Sequence, residues 1–270
     1  MPIVRVPVVR VRAAGGVAAE RRVPEEVPVA LVYDGTTHAV MLATPADLED
    51  FAVGFSLSEG KVATAADIAE LEIVTHGGGV EARMWLAPAA GAAVVSRRRA
   101  MLGPTGCGLC GIDSLEAALP PVRAVPEGPR VTAAQVSAAV AAMRPAQIWN
   151  REAHALHAAG FWTPADGLVA IREDIGRHNA LDKLVGRLAR SGRSAGDGIL
   201  VLTSRVSVEL VQKAATLGAP VLVAVSAPTA LALRTAAEAG ITVVGVARDD
   251  GFEVFTGPER VVLEAEVARV

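Results

Sequence analysis

Ile199-Leu200-Val201-Leu202, then Thr203-Ser204-Arg205-Val206-Ser207, then Val208–Leu217, Gly218 and Val221-Leu222-Val223-Ala224-Val225 form one stretch of the chain. It reads as a strand, a polar exit, a helix, a C-cap glycine and a second strand. The same rhythm continues on both sides. Upstream, Leu168-Val169-Ala170-Ile171 is a strand, and Asn179–Arg190 is a helix with Leu181, Leu184, Val185 and Leu188 inward, closed by Gly192. Downstream, Thr229–Ala239 is a helix ended by Gly240, and Ile241–Val246 is a strand. Phe252–Phe255 and Val261–Leu263 read as edge strands. This β-α-β-α-β order predicts a mostly parallel sheet with covering helices.

The first hundred residues follow another pattern. Ile3-Val4-Arg5-Val6 alternates like a strand, and the rest of residues 1–26 reads as a loose lead-in. Pro28–Tyr33 and His38–Leu42 flank Asp34-Gly35, a hairpin signature. Thr44 reads as a helix N-cap with Pro45 in the first turn, and Leu48, Phe51, Ala52 and Phe55 recur at helical spacing before Gly60. A short helix at Ala65–Ala69 and strands at Leu71–Thr75 and Val80–Leu86 follow. Pro120–Pro129, with four prolines, reads as a linker, and Thr132 with Gln135 as a capping box for a helix through Met143. The fold class is α/β. Residues 130–270 form a core of mostly parallel or mixed sheet covered by helices. Residues 1–100 form a smaller N-terminal α+β subdomain, and residues 101–129 a cysteine loop and linker.

Composition narrows the function. The net charge of −3 over 270 residues leaves no global basic field, so nucleic acid is not an expected partner. No run reaches the ~18 apolar residues of a membrane span, and the N-terminus lacks a signal-peptide pattern. Two cysteines without an export signal read as reduced and cytoplasmic, with a reactive or metal-binding role.

Those cysteines sit in Thr105-Gly106-Cys107-Gly108-Leu109-Cys110-Gly111, where glycines let the backbone turn sharply and lie open. The spacing suits a dithiol–disulfide cycle, half of a tetrahedral zinc site, or a nucleophile with a resolving partner. Arg97-Arg98-Arg99 precedes the loop and would lower thiol pKa values, and Ser114–Leu119 would start a helix behind it.

Polar chemistry also gathers where strands hand over to helices, the place where open α/β sheets bind ligands. Glu173–Lys183 brings Arg177 and His178 to one such exit. Arg205 and Ser207 stand at the next, and Ser226-Ala227-Pro228-Thr229 at a third. Each alone is an ordinary helix start with a solvated face; three on one edge predict a pocket that holds an anion. His154 and His157, three apart beside Glu152, have the spacing of ligands on one helix, but a lone CxxC and two histidines do not define a metal site, and none is assigned.

Together these residues resemble the FdhD family, the formate dehydrogenase accessory sulfurtransferases. The resemblance rests on Thr44-Pro45-x-Asp47-Leu48-x-Asp50-Phe51-Ala52-x-Gly54-Phe55 with Ser58-Glu59-Gly60, and on Cys107-Gly108-Leu109-Cys110-Gly111. It continues through Glu173–Lys183, Arg205-x-Ser207-x-Glu209-Leu210-Val211-x-Lys213-Ala214 and Ser226-Ala227-Pro228-Thr229-x-Leu231-Ala232. Two places depart from the family pattern. Asn150-Arg151-Glu152-Ala153 stands where a Thr-Gly-Gly run is usual, and Thr203-Ser204-Arg205 where many members have Ser-Gly-Arg.

The resemblance implies a cytidine-deaminase-like core and a homodimer. It implies a sulfurtransferase that passes persulfide sulfur from a cysteine desulfurase to the molybdenum (or tungsten) bis-guanine-dinucleotide cofactor, before the formate dehydrogenase catalytic subunit receives it. The persulfide cysteine falls on Cys107, with Cys110 to relay or resolve. The cofactor-binding stretch falls on Val246-Ala247-Arg248-Asp249-Asp250-Gly251, with phosphates against the helix starts and Arg177, Arg205 or Arg248. The alternative is a non-catalytic chaperone of formate dehydrogenase that binds the cofactor and uses its CxxC to hold zinc. A zinc deaminase is excluded, because no His-x-Glu or Cys-x-Glu occurs and Gly106 precedes the CxxC. A thioredoxin-like oxidoreductase fits poorly, because the CxxC does not follow the first strand of a βαβ unit.

Overall fold

Ile199–Leu202 (β10) and Val221–Ala224 (β11) are buried at every residue, as expected of parallel strands covered on both faces. In the computed structural model, which describes residues 1–13, 15–88 and 121–263, they lie at the centre of a six-stranded sheet. The other members are β8 (His157–Thr163), β9 (Gly167–Asp174), β12 (Thr242–Arg248) and β13 (Gly251–Thr256), in the order β13-β12-β11-β10-β8-β9. Only β10-β11 and β11-β12 pair in parallel; β8-β9, β8-β10 and β12-β13 are antiparallel. The sheet is therefore mixed rather than mostly parallel. The strand β8, at His157–Thr163, is absent from the sequence reading, and it turns the first half of the sheet into a hairpin.

Alternate residues of the central strands face opposite layers. Leu200, Leu202, Leu222 and Ala224 pack under α4 (Arg177–Arg190), α5 (Val208–Leu217) and α6 (Ala230–Ala239). Ile199, Val201, Val221 and Val223 pack under α2 (Ala133–Ala146). Thr132 and Gln135 form the expected capping box on α2. Gly218 and Gly240 close α5 and α6 in the left-handed conformation. Residues 121–130 are not a free linker: Val122 and Val125 pack on the core, and Val125 N donates to Ala239 O.

The N-terminal unit has its own core. A sheet of order β4-β3-β6-β5 comprises β3 (Val27–Tyr33), β4 (Thr36–Ala43), β5 (Ile68–His76) and β6 (Gly79–Leu86), with α1 (Leu48–Ser58) packed upon it. Three expectations change here. Residues 3–24 form a long hairpin, β1 (Ile3–Arg12) with β2 (Gly15–Pro24), instead of a loose lead-in. Ala65–Asp67 is one 3-10 turn that leads directly into β5. The N-cap of α1 is Asp47, not Thr44, because Thr44 is buried and its N–H donates to the Asp174 carboxylate.

α1 crosses α4 with no room for a side chain between them. A Cβ on Gly54 would lie 1.7 Å from Asp182 O, and one on Gly186 would lie 1.9 Å from Asp50 O. Arg172 on β9 then reaches Asp50 at 2.6 Å, and Arg190 reaches the other oxygen of Asp50 at 2.6 Å. The N-terminal unit is thus docked on the core through α1, with the buried Asp50 carboxylate held between Arg172 and Arg190.

Candidate functional site

β8 runs antiparallel to both β9 and β10, so β9 points the same way as β10, β11 and β12. All four release their chain at one edge, where β8 begins with His157. The polar exits read from the sequence therefore share an edge. The loops after β10 and β11 zip together there, Thr229 N donating to Val206 O at 2.9 Å and Val206 N to Ala227 O at 3.3 Å. Val246 N donates to Ser226 O at 3.3 Å, which joins the end of β12 to the same array. Val246 has φ 51°, an unusual conformation for a β-branched residue, and the distortion falls at this edge.

The segment Asp174–Lys183 divides its residues between two tasks. Asp174 and Lys183 are fully buried and 2.6 Å apart. Asp174 also accepts from Thr44 N, Gly176 N and Asn179 Nδ2, while Lys183 donates to Thr44 O at 2.9 Å. Asn179 donates to Leu42 O. Asp182 pairs with Lys213 of α5 at 2.9 Å, and Lys213 also reaches Glu59 beyond α1 at 3.0 Å. Burial pulls the Lys213 pKa down, but Asp182 and Glu59 outweigh it and raise it, so the ammonium stays charged. Four residues of the segment thus fasten the N-terminal unit to the core. Arg177 and His178 remain at the edge.

The helix starts at this edge differ. Thr229 caps α6 by accepting from Ala232 N at 3.3 Å. The N-cap of α4 is Gly176, which has no side chain, and Ser207 of α5 makes no side-chain capping bond. Among the described residues, the Ser207 Oγ is buried without a hydrogen-bond partner, and so are His178 Nε2 and Glu209 Oε2, which lie 4.0 Å apart. Burial, then Arg177, Lys213 and His157, push the His178 pKa down to about 3, so its imidazole is neutral. Burial and Arg177 lower His157 too. Each unpartnered buried polar atom is unfavourable by about 1–3 kcal/mol.

Glu209 is the residue the sequence reading left out of the site. Its signal was present: His178 and Glu209 occupy the same position two residues past their N-caps, with Asp182 and Lys213 each four residues further on. Two successive helices carry matching rungs.

Other expectations separate. Arg205 is exposed at the rim and Ser226 is half-buried. Ala247 is packed in the core on the α2 side, with its side chain turned inward. Arg248, Asp249, Asp250 and Gly251 form the exposed β12–β13 turn. His154 and His157 do not share a helix. α3 (Asn150–Ala153) ends at His154, and His157 opens β8. Cys107, Cys110, Arg97–Arg99 and the helix expected from Ser114 lie outside the described residues.

This arrangement defines an α/β protein whose mixed sheet gathers unpartnered polar groups and uncapped helix starts at one carboxyl edge. The chain belongs to the FdhD/NarQ family, whose model matches residues 24–262. It is 54% identical over 248 residues to a protein of Agrobacterium fabrum named sulfur carrier protein FdhD, covering 90% of each chain. A Brucella abortus protein of the same name is 52% identical over 252 residues, covering 93% of this chain and 94% of its own. The fold is similar to the crystal structure of a putative formate dehydrogenase accessory protein from Desulfotalea psychrophila, with a TM-score of 0.75 at 22% identity, covering 97% of this chain and all of that one. No helix among the described residues is long and apolar enough to cross a membrane.

Proposed function

We propose that this chain carries sulfur to the molybdenum bis-guanine-dinucleotide cofactor for formate dehydrogenase, acting as a cytoplasmic homodimer on a cytidine-deaminase-like core. The Cys107 thiolate attacks the outer sulfur of a persulfide on a cysteine desulfurase. The donor S–S bond breaks, the donor cysteine leaves as thiolate, and Cys107 becomes the persulfide. Cys110 then attacks the inner sulfur, releasing sulfide to the metal of the cofactor and leaving a Cys107–Cys110 disulfide. The two thiols supply both electrons of that step.

The cofactor's nucleotide diphosphates rest on the carboxyl edge. The observation that carries this placement is the set of buried, unpartnered atoms on His178, Ser207 and Glu209 beside two helix starts that lack a side-chain cap. Arg177 and Arg205 supply positive charge, and the strained backbone at Val246 lets main chain approach the ligand.

The test is to incubate the protein with a cysteine desulfurase and cysteine, then take intact and peptide mass spectra without reductant. One added sulfur atom on the Cys107 peptide, reversed by thiol and absent in Cys107→Ala, is the expected result. No added sulfur, with zinc retained by both cysteines, overturns the reading in favour of a binding chaperone.

A further inference from the structure

β1 and β2 join neither of the larger sheets and form a two-stranded ribbon of their own. Its ten-residue strands span about 30 Å. A hairpin of this kind is marginally stable alone, and both of its outer edges offer unpaired backbone N–H and C=O groups. The ribbon is anchored at its base, where Arg22 pairs with Glu152 of α3 at 2.5 Å and Glu25 N donates to Pro2 O at 2.9 Å. Towards the tip, Val9, Val11 and Val17 are 69%, 76% and 69% exposed, so the described residues leave them uncovered.

Charge is sorted between the two faces of this ribbon. Residues 3–24 hold five arginines and one glutamate, a net +4 in a chain of net −3, so the rest of the chain carries −7. Arg5 and Arg22 are cross-strand partners on one face, and both are paired, Arg5 with Glu20 at 3.8 Å and Arg22 with Glu152. Arg10, Arg12 and Arg21 share the other face, opposite Val17, Gly15 and Val6 respectively. All three are exposed, and none has a carboxylate partner among the described residues. Arg10 and Arg12 stand two residues apart on one strand, which separates them by about 7 Å.

We propose that this ribbon is a docking arm for a partner protein, and that its unpaired face takes an extended acidic segment with carboxylates at alternate positions. An extended chain repeats the side chains of one side at about 7 Å, the same spacing that separates Arg10 from Arg12. Arginine grips a carboxylate through two parallel N–H donors. Val8 and Val17 supply an apolar floor between the charges, and the open edges supply backbone partners. A protein fits this face better than a lipid or nucleic-acid surface. Residues 3–24 hold no aromatic side chain to seat in a bilayer interface or to stack on bases. The arm shares no residue with the carboxyl edge, so it stands or falls apart from the reading of that edge.

The experiment titrates the full chain into a fluorescein-labelled peptide of alternating glutamate and valine and reads its anisotropy. Saturable binding is expected, weakening several-fold as salt is raised. A peptide of the same composition, with its glutamates in one block and its valines in another, binds several-fold more weakly because its carboxylates lose the alternate spacing. The Arg10→Gln/Arg12→Gln/Arg21→Gln variant loses about ten-fold in affinity, from three exposed ion pairs acting together. The Arg10→Lys/Arg12→Lys/Arg21→Lys variant retains most of the binding. The thermal midpoint of the glutamine variant stays within about 2 °C of wild type, because exposed charges contribute little to stability. No binding of the alternating peptide, equal affinity in the glutamine variant, or equal affinity for the block peptide overturns the proposal. In that event, phosphatidylglycerol vesicles that sediment the wild type but not the glutamine variant assign the arm to a lipid surface. A smaller species of the glutamine variant in sedimentation velocity assigns it instead to a second copy of the chain.

Discussion

Replacing Lys183 with methionine removes the cation from the most deeply buried ion pair of the described residues and leaves the Asp174 carboxylate in place. Both side chains have no solvent exposure, and their atoms are 2.6 Å apart. Removing one partner of a buried pair typically destabilises by about 3–5 kcal/mol, because the remaining charge is uncompensated. Asp174 keeps three N–H donors, from Thr44, Gly176 and Asn179, which places the expected loss near the lower end, about 3 kcal/mol. Lys183 also donates to Thr44 O, and that carbonyl loses its partner. A domain is typically stable by about 5–15 kcal/mol, so the fraction lost is large. Urea unfolding followed by tryptophan fluorescence and circular dichroism measures it. Trp85 reports on the N-terminal unit, and Trp149 and Trp162 on the core. Adding Asp174→Asn to the variant removes the stranded charge and is expected to restore more than half of the loss. A loss below about 1 kcal/mol, the range of an exposed pair, would refute the buried-clamp reasoning.

Four other outcomes are expected. Gly186→Ala puts a methyl group into the Asp50 backbone, separates α1 from α4, and lowers stability by at least about 1–3 kcal/mol by thermal unfolding. Ser207→Ala removes a buried hydroxyl that has no partner among the described residues, so thermal unfolding should show it neutral or slightly stabilising, against the usual N-cap loss of about 0.5–2 kcal/mol. Its GDP affinity should fall by isothermal titration. His178 titrates at 6.5 in the unfolded chain and at about 3 in the folded one, so its stabilising contribution is complete above pH 6.5 and is lost as pH falls towards 3. The urea midpoint should therefore fall through that window, and less steeply in His178→Gln. Cys110→Ala should still accept sulfur on Cys107 but stall with the persulfide retained, seen as an added sulfur that persists when the molybdenum cofactor is supplied, where wild type loses it.

The strands and helices of residues 168–246 were legible because apolar period and punctuation agree there: β10 and β11 are short unbroken runs, and glycines close α5 and α6. β8 was not legible. His157-Ala158-Ala159-Gly160-Phe161-Trp162-Thr163 has small residues on both faces and a glycine at its centre. It is buried by its neighbours β9 and β10 rather than marked by its own alternation. Gly160 leaves room there for the Met143 side chain, since a Cβ would lie 2.3 Å from its sulfur, a contact no local pattern announces. Thr44 misled for a related reason. It carries the local signature of an N-cap, but a residue 130 positions away uses its backbone N–H. The edge was legible as a place, because strand exits are visible in sequence. Its unpartnered atoms were not, since they depend on how α4 and α5 lie side by side.

The double duty of Asp174–Lys183 makes one kind of experiment ambiguous and another decisive. Asp174 Oδ1 accepts from Gly176 N at 2.8 Å, and Gly176 is the N-cap of α4, so the clamp itself sets where Arg177 and His178 begin. The neighbouring helix repeats the design: Glu209 faces the edge, and Lys213, one turn inward, holds Asp182 and Glu59. Loss of activity in any of these variants therefore has two causes that activity alone cannot separate. Stability separates them by sign. Residues of the clamp lose stability when truncated, because their charges are paired and buried. Residues of the edge lose little or gain, because their polar atoms have no partner among the described residues. A variant that raises stability while abolishing ligand binding thus marks an edge residue, and the opposite pattern marks the clamp.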